Sequence, residues 1–185
     1  MLTAADVLDP VPRRVLIAGV TCAGKTTLAR RVSEVLGVPH TELDSLYHGA
    51  GWVPRPSFSE DVQALVEQPA WVTEWQYTEV RGLLASRADT LVWLDLPPRV
   101  PLWRVLRRTL TRRIRRTVLW NGNVEPPLHT ILRNPDHILR WAVRTRHSMP
   151  ERVLFLEREH PRLRIVRLRS GRDVDRWIAM LGGAG

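Results

Sequence analysis

Residues 13–26 read RRVLIAGVTCAGKT, and the interpretation of the whole chain starts from this stretch. Its first half, Arg13 to Gly19, is apolar and β-branched and ends at a glycine, which predicts a buried strand. Its second half, Gly19 to Thr26, matches the pattern G-x-x-x-x-G-K-[ST]. The segment Lys25 to Leu36 then places apolar side chains on one side and stops at Gly37, which predicts a helix. A strand, a glycine-bounded loop and a helix therefore follow one another directly.

The loop has the chemistry of a phosphate site. Gly19 and Gly24 allow the backbone to turn successive N–H groups inward, and the following helix adds the positive end of its dipole. We expect Lys25, the only lysine beside 27 arginines, to reach the β- and γ-phosphates, and the Thr26 hydroxyl to ligate Mg²⁺. The sequence thus predicts ATP and Mg²⁺ as cofactors. The predicted nucleotide-binding residues of the loop are Gly19, Cys22, Ala23, Gly24, Lys25, Thr26 and Thr27.

The rest of the chain alternates short apolar runs with amphipathic stretches. This order favours an α/β fold in which a parallel sheet is covered by helices on both faces. With the first strand, further strands predicted over 38–43, 70–75, 89–96 and 162–168 make a five-stranded sheet. Helices are predicted over 57–67, 78–88, 99–118, 136–147, after 150 and over 173–181. Ligands of such sheets bind at the carboxyl ends of the strands, so the residues that follow those ends are the candidates for a site.

Length and composition narrow the class of protein. The 185 residues, 44% of them hydrophobic, predict a single domain over 1–185 with an insertion around 104–128. No apolar run approaches the roughly 20 residues of a membrane span, and residues 1–12 lack the basic start of a signal peptide. A single cysteine excludes an internal disulfide. We expect a cytoplasmic protein, monomeric or homodimeric, that does not bind membranes.

Five further segments follow the loop in a fixed order. They are Leu43-Asp44-Ser45-Leu46, Gly51-Trp52, the stretch WVTEWQY from Trp71 to Tyr77, Leu94-Asp95-Leu96-Pro97 and the arginine-rich run from Arg104 to Arg116. In this order, over about Val15 to Trp177, the chain resembles the adenylate-kinase-related P-loop kinases. It is most similar among them to the small proteins known as DNA topology modulation proteins. The resemblance implies a P-loop NTPase fold with an arginine-rich helical lid.

Two carboxylates are candidates for holding the predicted Mg²⁺. Where the family carries Asp-Gly-Asn-Tyr, this chain has Glu74-Trp75-Gln76-Tyr77. In related kinases the acidic residue at this place holds Mg²⁺ through water, so the resemblance makes Glu74, together with Thr26, the first candidate for the metal. Asp95 ends a strand of Walker-B type and is the second. Trp75 stands where the family has glycine, and we expect it to reshape the acceptor pocket.

The acceptor site is predicted around the second strand end. Asp44 lies across the expected cleft from Lys25, where a carboxylate accepts a hydroxyl proton or orients the hydroxyl. The alternative is that Asp44 is the N-cap of the helix that follows it. Arg81 is expected to bind an anionic acceptor, and Arg144 to approach the phosphates. The predicted acceptor-site residues are Asp44, Trp52, Arg55, Glu74, Tyr77, Arg81 and Arg144.

Arginines spaced by four between Arg104 and Arg116 lie on one face of a predicted lid helix. Such a face suits a polyphosphate, because phosphoryl transfer spreads negative charge over oxygens that arginines stabilise. The alternative is a solvated basic face. Arg104 and Arg108 match the R-x-x-x-R spacing at the lid entrance of adenylate kinases, and the resemblance makes them catalytic with Lys25 and Asp44. Arg108 is also predicted to bind the nucleotide, and Arg169 to flank its base.

The leading hypothesis is an ATP-dependent phosphotransferase. It moves the γ-phosphoryl group of MgATP to a small-molecule acceptor such as a nucleoside or nucleotide. The alternative is a nucleotide-dependent nucleic-acid-binding or regulatory protein, favoured by the net charge of +9. No helix-turn-helix, zinc-finger or RNA-recognition pattern supports that alternative. The nearly complete use of arginine in place of lysine is typical of a coding bias in a GC-rich genome, which makes the charge a weak indicator.

Overall fold

The computed structural model of the chain describes residues 1–97, 100, 101, 103 and 148–183. In these residues the elements are β1 (Arg14–Gly19), α1 (Lys25–Leu36), α2 (Leu43–Tyr47), a 3-10 turn (Ala50–Trp52), α3 (Phe58–Val66), β2 (Trp71–Glu74), α4 (Arg81–Arg87), β3 (Thr90–Leu94), α5 (Ser148–Glu159), β4 (Arg164–Leu168) and α6 (Gly171–Gly182). The predicted lid with Arg104 and Arg108 lies outside the described residues, as does Arg144 in the segment after it. None of the described helices combines the length and the apolar character needed to cross a membrane.

The strands form one parallel sheet in the order β2-β1-β3-β4. β1 is a central strand: Val15 pairs with Val72 on one side and with Thr90 on the other. β2 and β3 are buried throughout, as expected for parallel strands covered on both faces. Because all four strands run the same way, their carboxyl ends share one edge, and the loops that leave this edge lie side by side.

The predicted fifth strand is wrong, since the described residues contain a four-stranded sheet. Residues 38–43 make a single parallel bridge, from His40 to Val72. Helix α2 then begins at Leu43. The backbone N–H of Leu43 donates to Glu74 Oε2 at 3.3 Å and makes no ladder hydrogen bond. The bridge places this segment at the outer edge of β2 without extending the ladder.

Helices cover the sheet on both sides, and the alternation of side chains along each strand separates two cores. The α1 face is the side on which α1 and α6 pack. Its core contains Val15, Ile17, Leu28, Val32, Val72, Val92, Val166 and Trp177. The α3 face is the side on which α2 to α5 pack. Its core contains Leu16, Leu43, Phe58, Val62, Trp71, Leu84, Leu91, Trp93 and Val153. Burying one such side chain contributes roughly 1.5–3 kcal/mol, so both cores hold the carboxyl edge in place.

Candidate active site

The glycine loop (residues 19–26) leaves β1 and enters α1 at the carboxyl edge of the sheet. Gly24 has a φ of 104° and Cys22 a φ of 59°, so the backbone turns through the left-handed region twice. A Cβ on Gly19 would lie 3.1 Å from the Cβ of Ala23 and 3.2 Å from that of Leu94. This contact explains the first glycine of the motif, because any side chain there would push the loop away from the end of β3.

The glycine loop ends on the N-terminus of α1, which carries no side-chain cap. A helix start of this kind attracts anions, since its first amide groups lack partners within the helix. The Nζ of Lys25 donates to the carbonyl of Val20, inside the loop, at 3.4 Å. Ala23 is buried beneath the loop and Thr27 is exposed on α1. The predicted nucleotide-binding residues of the loop are thus together on one concave turn.

Arg169 lies at the same edge of the sheet, directly after β4. Its backbone N–H donates to Asp173 Oδ2 at 2.8 Å, and Ser170 caps α6 by accepting the N–H of Asp173 at 3.1 Å. The Arg169 side chain is exposed. This position agrees with the predicted role beside the nucleotide base, which stays a prediction.

Glu74 ends β2 and is only 2% exposed. Its Oε2 accepts the N–H of Leu43 at 3.3 Å, and the hydroxyl of Thr26 lies near enough to help lower the pKa of the same carboxylate. Its Oε1 lies 3.5 Å from His40 Nε2 and has no hydrogen-bond partner within the described part of the chain. One buried carboxylate therefore connects the glycine loop to the start of α2.

The protonation state of Glu74 follows from these contacts. Burial raises the pKa of Glu74, but the polar contacts with His40, the Leu43 N–H and the Thr26 hydroxyl outweigh burial and hold the pKa below its ordinary value. Glu74 is therefore a carboxylate at neutral pH. A carboxylate with an unpartnered buried oxygen beside a threonine hydroxyl is a donor set that suits Mg²⁺, which keeps several waters and also takes phosphate oxygens.

Asp95, the second candidate for the metal, is engaged elsewhere. Its Oδ2 accepts from Arg167 Nε at 2.8 Å, and the same guanidinium lies over the ring of Trp93 at 4.7 Å. This ion pair occupies Oδ2 of the carboxylate that follows β3. The contacts therefore favour Glu74 over Asp95 as the metal-side carboxylate.

Asp44 lies in the first turn of α2, and the N-cap of that helix is Glu42. The alternative interpretation of Asp44 as a helix cap is therefore wrong. Asp44 Oδ1 accepts two hydrogen bonds, from Gln76 Nε2 at 2.7 Å and from the Tyr77 hydroxyl at 2.6 Å. Within the described residues Oδ2 makes no hydrogen bond. The two donors orient the carboxylate and leave one oxygen for another hydroxyl group.

Two neighbours of Asp44 keep fixed protonation states. Burial, followed by the negative charge of Asp44, raises the pKa of Tyr77, so Tyr77 stays a hydrogen-bond donor. The Tyr77 hydroxyl also lies 3.3 Å from His48 Nε2. Burial lowers the pKa of His48 more than the charge of Asp44 raises it, so His48 is neutral at pH 7. A neutral histidine and a protonated tyrosine thus border the carboxylate.

Aromatic rings form a wall around this group. Tyr47 stacks on Tyr77 with ring centroids 4.2 Å apart, and Trp52 packs against the His48 ring at 5.0 Å. Tyr77 has a φ of 57° and Trp52 a φ of 63°, a conformation that bulky residues rarely adopt. Such strained positions persist where the surrounding structure holds them, and they concentrate at binding sites.

Two other predicted acceptor residues have identifiable partners. Arg55 pairs with Asp61 at 3.1 Å and donates to Ser57 at 3.3 Å, so its guanidinium is bound to the beginning of α3. Arg81 lies over the ring of Trp75, with 5.4 Å from Cζ to the ring centroid. Trp75 itself is 4% exposed and belongs to the core of the α3 face. The side chain of Trp75, which was expected to reshape the acceptor pocket, therefore packs in the core instead.

Four residues of this site carried no sequence prediction: His40, Tyr47, His48 and Gln76. A weak signal existed for His48, since it follows Asp44 by four residues and so lies on the same side of a helix. For Gln76 and His40 the pattern offered no such signal, because their partners Asp44 and Glu74 are more than thirty residues away in the sequence.

Comparison with known proteins establishes the fold. No protein-family model and no curated protein matches the chain. Among solved structures it is similar to a gluconokinase from Sinorhizobium meliloti 1021, with a TM-score of 0.53 and 18% identity over 94% of this chain and 93% of that one. It is also similar to a shikimate kinase from Bacteroides thetaiotaomicron, with a TM-score of 0.50 and 16% identity over 93% of this chain and 97% of that one.

At these identities the likeness shows the fold, and the chain has the α/β fold of small-molecule P-loop kinases. This fold is compatible with the predicted resemblance to adenylate-kinase-related proteins. The narrower likeness to DNA topology modulation proteins stays a prediction.

Proposed function

We propose that the chain is a cytoplasmic P-loop kinase that moves the γ-phosphoryl group of MgATP to a hydroxyl group of a small molecule. One continuous set of contacts carries the proposal. The Glu74 carboxylate accepts the N–H of Leu43 and lies near enough to the Thr26 hydroxyl for that group to lower its pKa, and Asp44 directly follows Leu43. A nucleotide loop and an acceptor carboxylate are thus tied together by one buried side chain.

On the nucleotide side the chain's own groups bind and orient the phosphates. Backbone amides of the glycine loop and the N-terminus of α1 surround the anion, and Lys25 neutralises charge that grows on the β- and γ-phosphates. Thr26 and Glu74 are the residues that would hold Mg²⁺, which when bound neutralises charge on the phosphate oxygens. The neighbouring His40 and Leu43 keep Glu74 ionised for that task.

On the acceptor side Asp44 binds the attacking hydroxyl. Phosphoryl transfer requires positioning more than strong base catalysis, because the transition state is loose. Tyr77 and Gln76 fix Oδ1, so Oδ2 accepts the hydroxyl hydrogen and takes the proton as the new P–O bond forms. The rings of Tyr47, Tyr77 and Trp52 exclude water from that contact.

The alternative function, nucleic-acid binding, depends on arginines between Arg104 and Arg116. These arginines lie outside the described residues, and no contact in the described part of the chain favours this function. The described contacts of Glu74 and Asp44 favour the kinase.

An acceptor screen tests the proposal directly. The full chain is incubated with MgATP and a panel of nucleosides, nucleotides, sugars, polyols and hydroxy acids, and ADP release is followed with a coupled assay. We expect at least one acceptor to raise ADP release well above the hydrolysis background and to appear phosphorylated by mass spectrometry. If none does so while ATP still binds, the chain is a nucleotide-binding protein and the kinase proposal fails.

A further inference from the structure

His40 is a buried histidine that the sequence did not single out. It lies on the outer edge of β2, where it forms a parallel bridge with Val72. The N–H of Val72 donates to the Pro39 carbonyl at 2.9 Å, and the N–H of Thr41 donates to the Val72 carbonyl at 3.1 Å. The backbone on both sides of His40 is therefore bound to β2, and only 9% of its side chain is exposed. The imidazole is thus held at a fixed place in the fold.

The imidazole faces the carboxylate of Glu74. His40 Nε2 lies 3.5 Å from Glu74 Oε1, and both atoms are buried without a hydrogen-bond partner among the described residues. A buried polar atom without a partner costs free energy, so two such atoms side by side indicate a place arranged for a polar ligand. The other oxygen, Oε2, already accepts the N–H of Leu43. Oε1 is therefore the oxygen of Glu74 that is available to a hydrated Mg²⁺.

Contacts from one short segment restrict both oxygens of this carboxylate. A free glutamate side chain samples many rotamers, and ordering it costs conformational entropy. Here His40 lies against Oε1, and the backbone N–H of Leu43 donates to Oε2. Both contacts come from residues 40–43, which are anchored to β2 at Val72. The Glu74 carboxylate is therefore oriented by the fold itself, which lowers the entropy that a bound ligand has to overcome.

We propose that His40 is a positioning residue for the metal side of the site: it fixes Oε1 of Glu74 and thereby raises the affinity of the nucleotide site for Mg²⁺. This inference rests on the proposed kinase function and on the role of Glu74 in it. It goes beyond the ionisation of Glu74, because it concerns where the carboxylate lies rather than its charge. Removing a group that orients a metal-side carboxylate typically changes metal affinity by about 10-fold to 100-fold.

Calorimetric titrations of ADP into the full chain test this role without turnover and without knowledge of the acceptor. They are repeated over a series of Mg²⁺ concentrations, and the Mg²⁺ concentration that gives half of its effect on ADP affinity is the midpoint. His40→Leu keeps the bulk but removes both ring nitrogens, and it should raise the midpoint by about 10-fold. ADP affinity in EDTA should stay at the parent value, because Lys25 and the glycine loop are unchanged. A purely structural role of His40 would instead weaken ADP binding with and without Mg²⁺ alike.

Two amide variants test whether the reach of the His40 ring matters. In His40→Gln an amide N–H extends nearly as far as Nε2 does, so this variant should recover most of the Mg²⁺ affinity that His40→Leu loses. The amide of His40→Asn ends nearer the backbone, at the level of Nδ1, and this variant should behave like His40→Leu. It is also a second loss-of-contact variant if the leucine variant does not fold. Adding His40→Leu to Glu74→Gln should cause no further rise, since the effect of His40 passes through the carboxylate.

Two control variants separate this role from a loss of stability. His160→Leu removes a histidine that lies just before β4, at the amino ends of the strands, and should leave the midpoint unchanged. Val62→Ala shortens a side chain in the core of the α3 face, so it should lower the melting temperature and likewise leave the midpoint unchanged.

The outcomes separate this inference from the proposed function. A parent-like midpoint in both His40→Leu and His40→Asn would overturn the positioning role, as would a further rise when His40→Leu is added to Glu74→Gln. If ADP binding by the parent protein is insensitive to Mg²⁺, that result counts against the proposed kinase itself, and the role of His40 falls with it.

Discussion

The glycine loop and the acceptor network, which consists of Asp44, Gln76 and Tyr77, bind their ligands by different means. The loop is one contiguous stretch, residues 19–26, whose shape depends on backbone conformation and on the close packing of Gly19 against β3. The network joins Asp44 to Gln76 and Tyr77, which are 32 and 33 residues away in the sequence. Backbone binding of phosphate requires glycines at given positions, whereas side-chain binding of a hydroxyl requires distant elements to meet. The two regions should therefore respond differently to mutation.

The largest effect is expected for Lys25→Ala. The substitution removes the ammonium group that neutralises the developing phosphate charge, so acceptor-dependent turnover should fall by roughly 10³-fold and MgATP should bind more weakly. Calorimetry and the ADP assay measure the two quantities. A variant that binds and turns over ATP like the parent would refute the role given to the glycine loop.

Asp44→Asn should remove activity without removing the nucleotide. The amide cannot take the hydroxyl proton, so turnover should fall by about 10²-fold, while MgATP affinity stays at the parent value. Glu60→Gln, an exposed carboxylate on α3, is the control and should behave like the parent. A parallel loss of ATP affinity in Asp44→Asn would mean that the two regions are one site rather than two.

Glu74→Gln tests the connection between the regions. Loss of the negative charge should raise the Mg²⁺ concentration needed for tight ADP binding by about 10-fold to 100-fold, because the carboxylate facing Thr26 would be gone. Titrations of ADP at several Mg²⁺ concentrations measure this shift, with Glu79→Gln as an exposed control. If ADP binding by Glu74→Gln depends on Mg²⁺ as in the parent, Glu74 is not the metal-side carboxylate and Asp95 becomes the candidate.

Gly19→Ala should lower stability through backbone sterics alone. A Cβ there would be 3.1 Å from Ala23 Cβ and 3.2 Å from Leu94 Cβ, and overpacking of this kind costs roughly 1–3 kcal/mol. The melting temperature should drop by several degrees, since 1 kcal/mol corresponds to about 2–4 °C in a chain of this size. Gly171→Ala, where a Cβ meets nothing within 4 Å, should leave it unchanged or higher.

The smallest effect concerns pH. Because burial lowers the pKa of His48 from its ordinary 6.5, the unfolded chain takes up the proton first as pH falls. His48 therefore makes its full contribution to the free energy of unfolding above pH 6.5. That contribution is lost as the pH falls toward the lowered pKa of the folded state. Between about pH 7.5 and about pH 5.5 the melting temperature should fall, and His48→Asn should reduce the fall by about 1–2 °C. His160→Asn is the control, and an identical fall in His48→Asn would contradict the prediction.

The sequence predicts correctly those helices and strands that depend on residues close together in the chain. The bounds of α1, Lys25 to Leu36, were read from an apolar stripe and a terminal glycine, and the structure confirms them. Gly37 indeed has a φ of 63°, with its N–H on the Ser33 carbonyl. β1 and β3 were likewise found from short β-branched runs. These elements depend on neighbours within a few residues, so a single sequence contains the information.

Prediction failed where the partner is remote. Residues 38–43 have the composition of a strand, yet the buried carboxylate of Glu74 captures the N–H of Leu43 and the chain starts a helix there. For Asp44 the sequence favours a role in the site, but it does not predict the two donors from beyond β2 that hold the carboxylate. In both cases the deciding partner follows β1 by more than fifty residues and arrives only when β2 pairs with it.

Sequence alone sufficed for the class of fold and for the phosphate-binding loop, because both depend on short-range patterns of glycine, lysine and apolar residues. The acceptor side exists only in the folded protein: Asp44 meets Gln76 and Tyr77 only when α2 packs beside the end of β2. Their orientation, and the raised pKa of Tyr77, depend on burial and on partners that no linear pattern encodes.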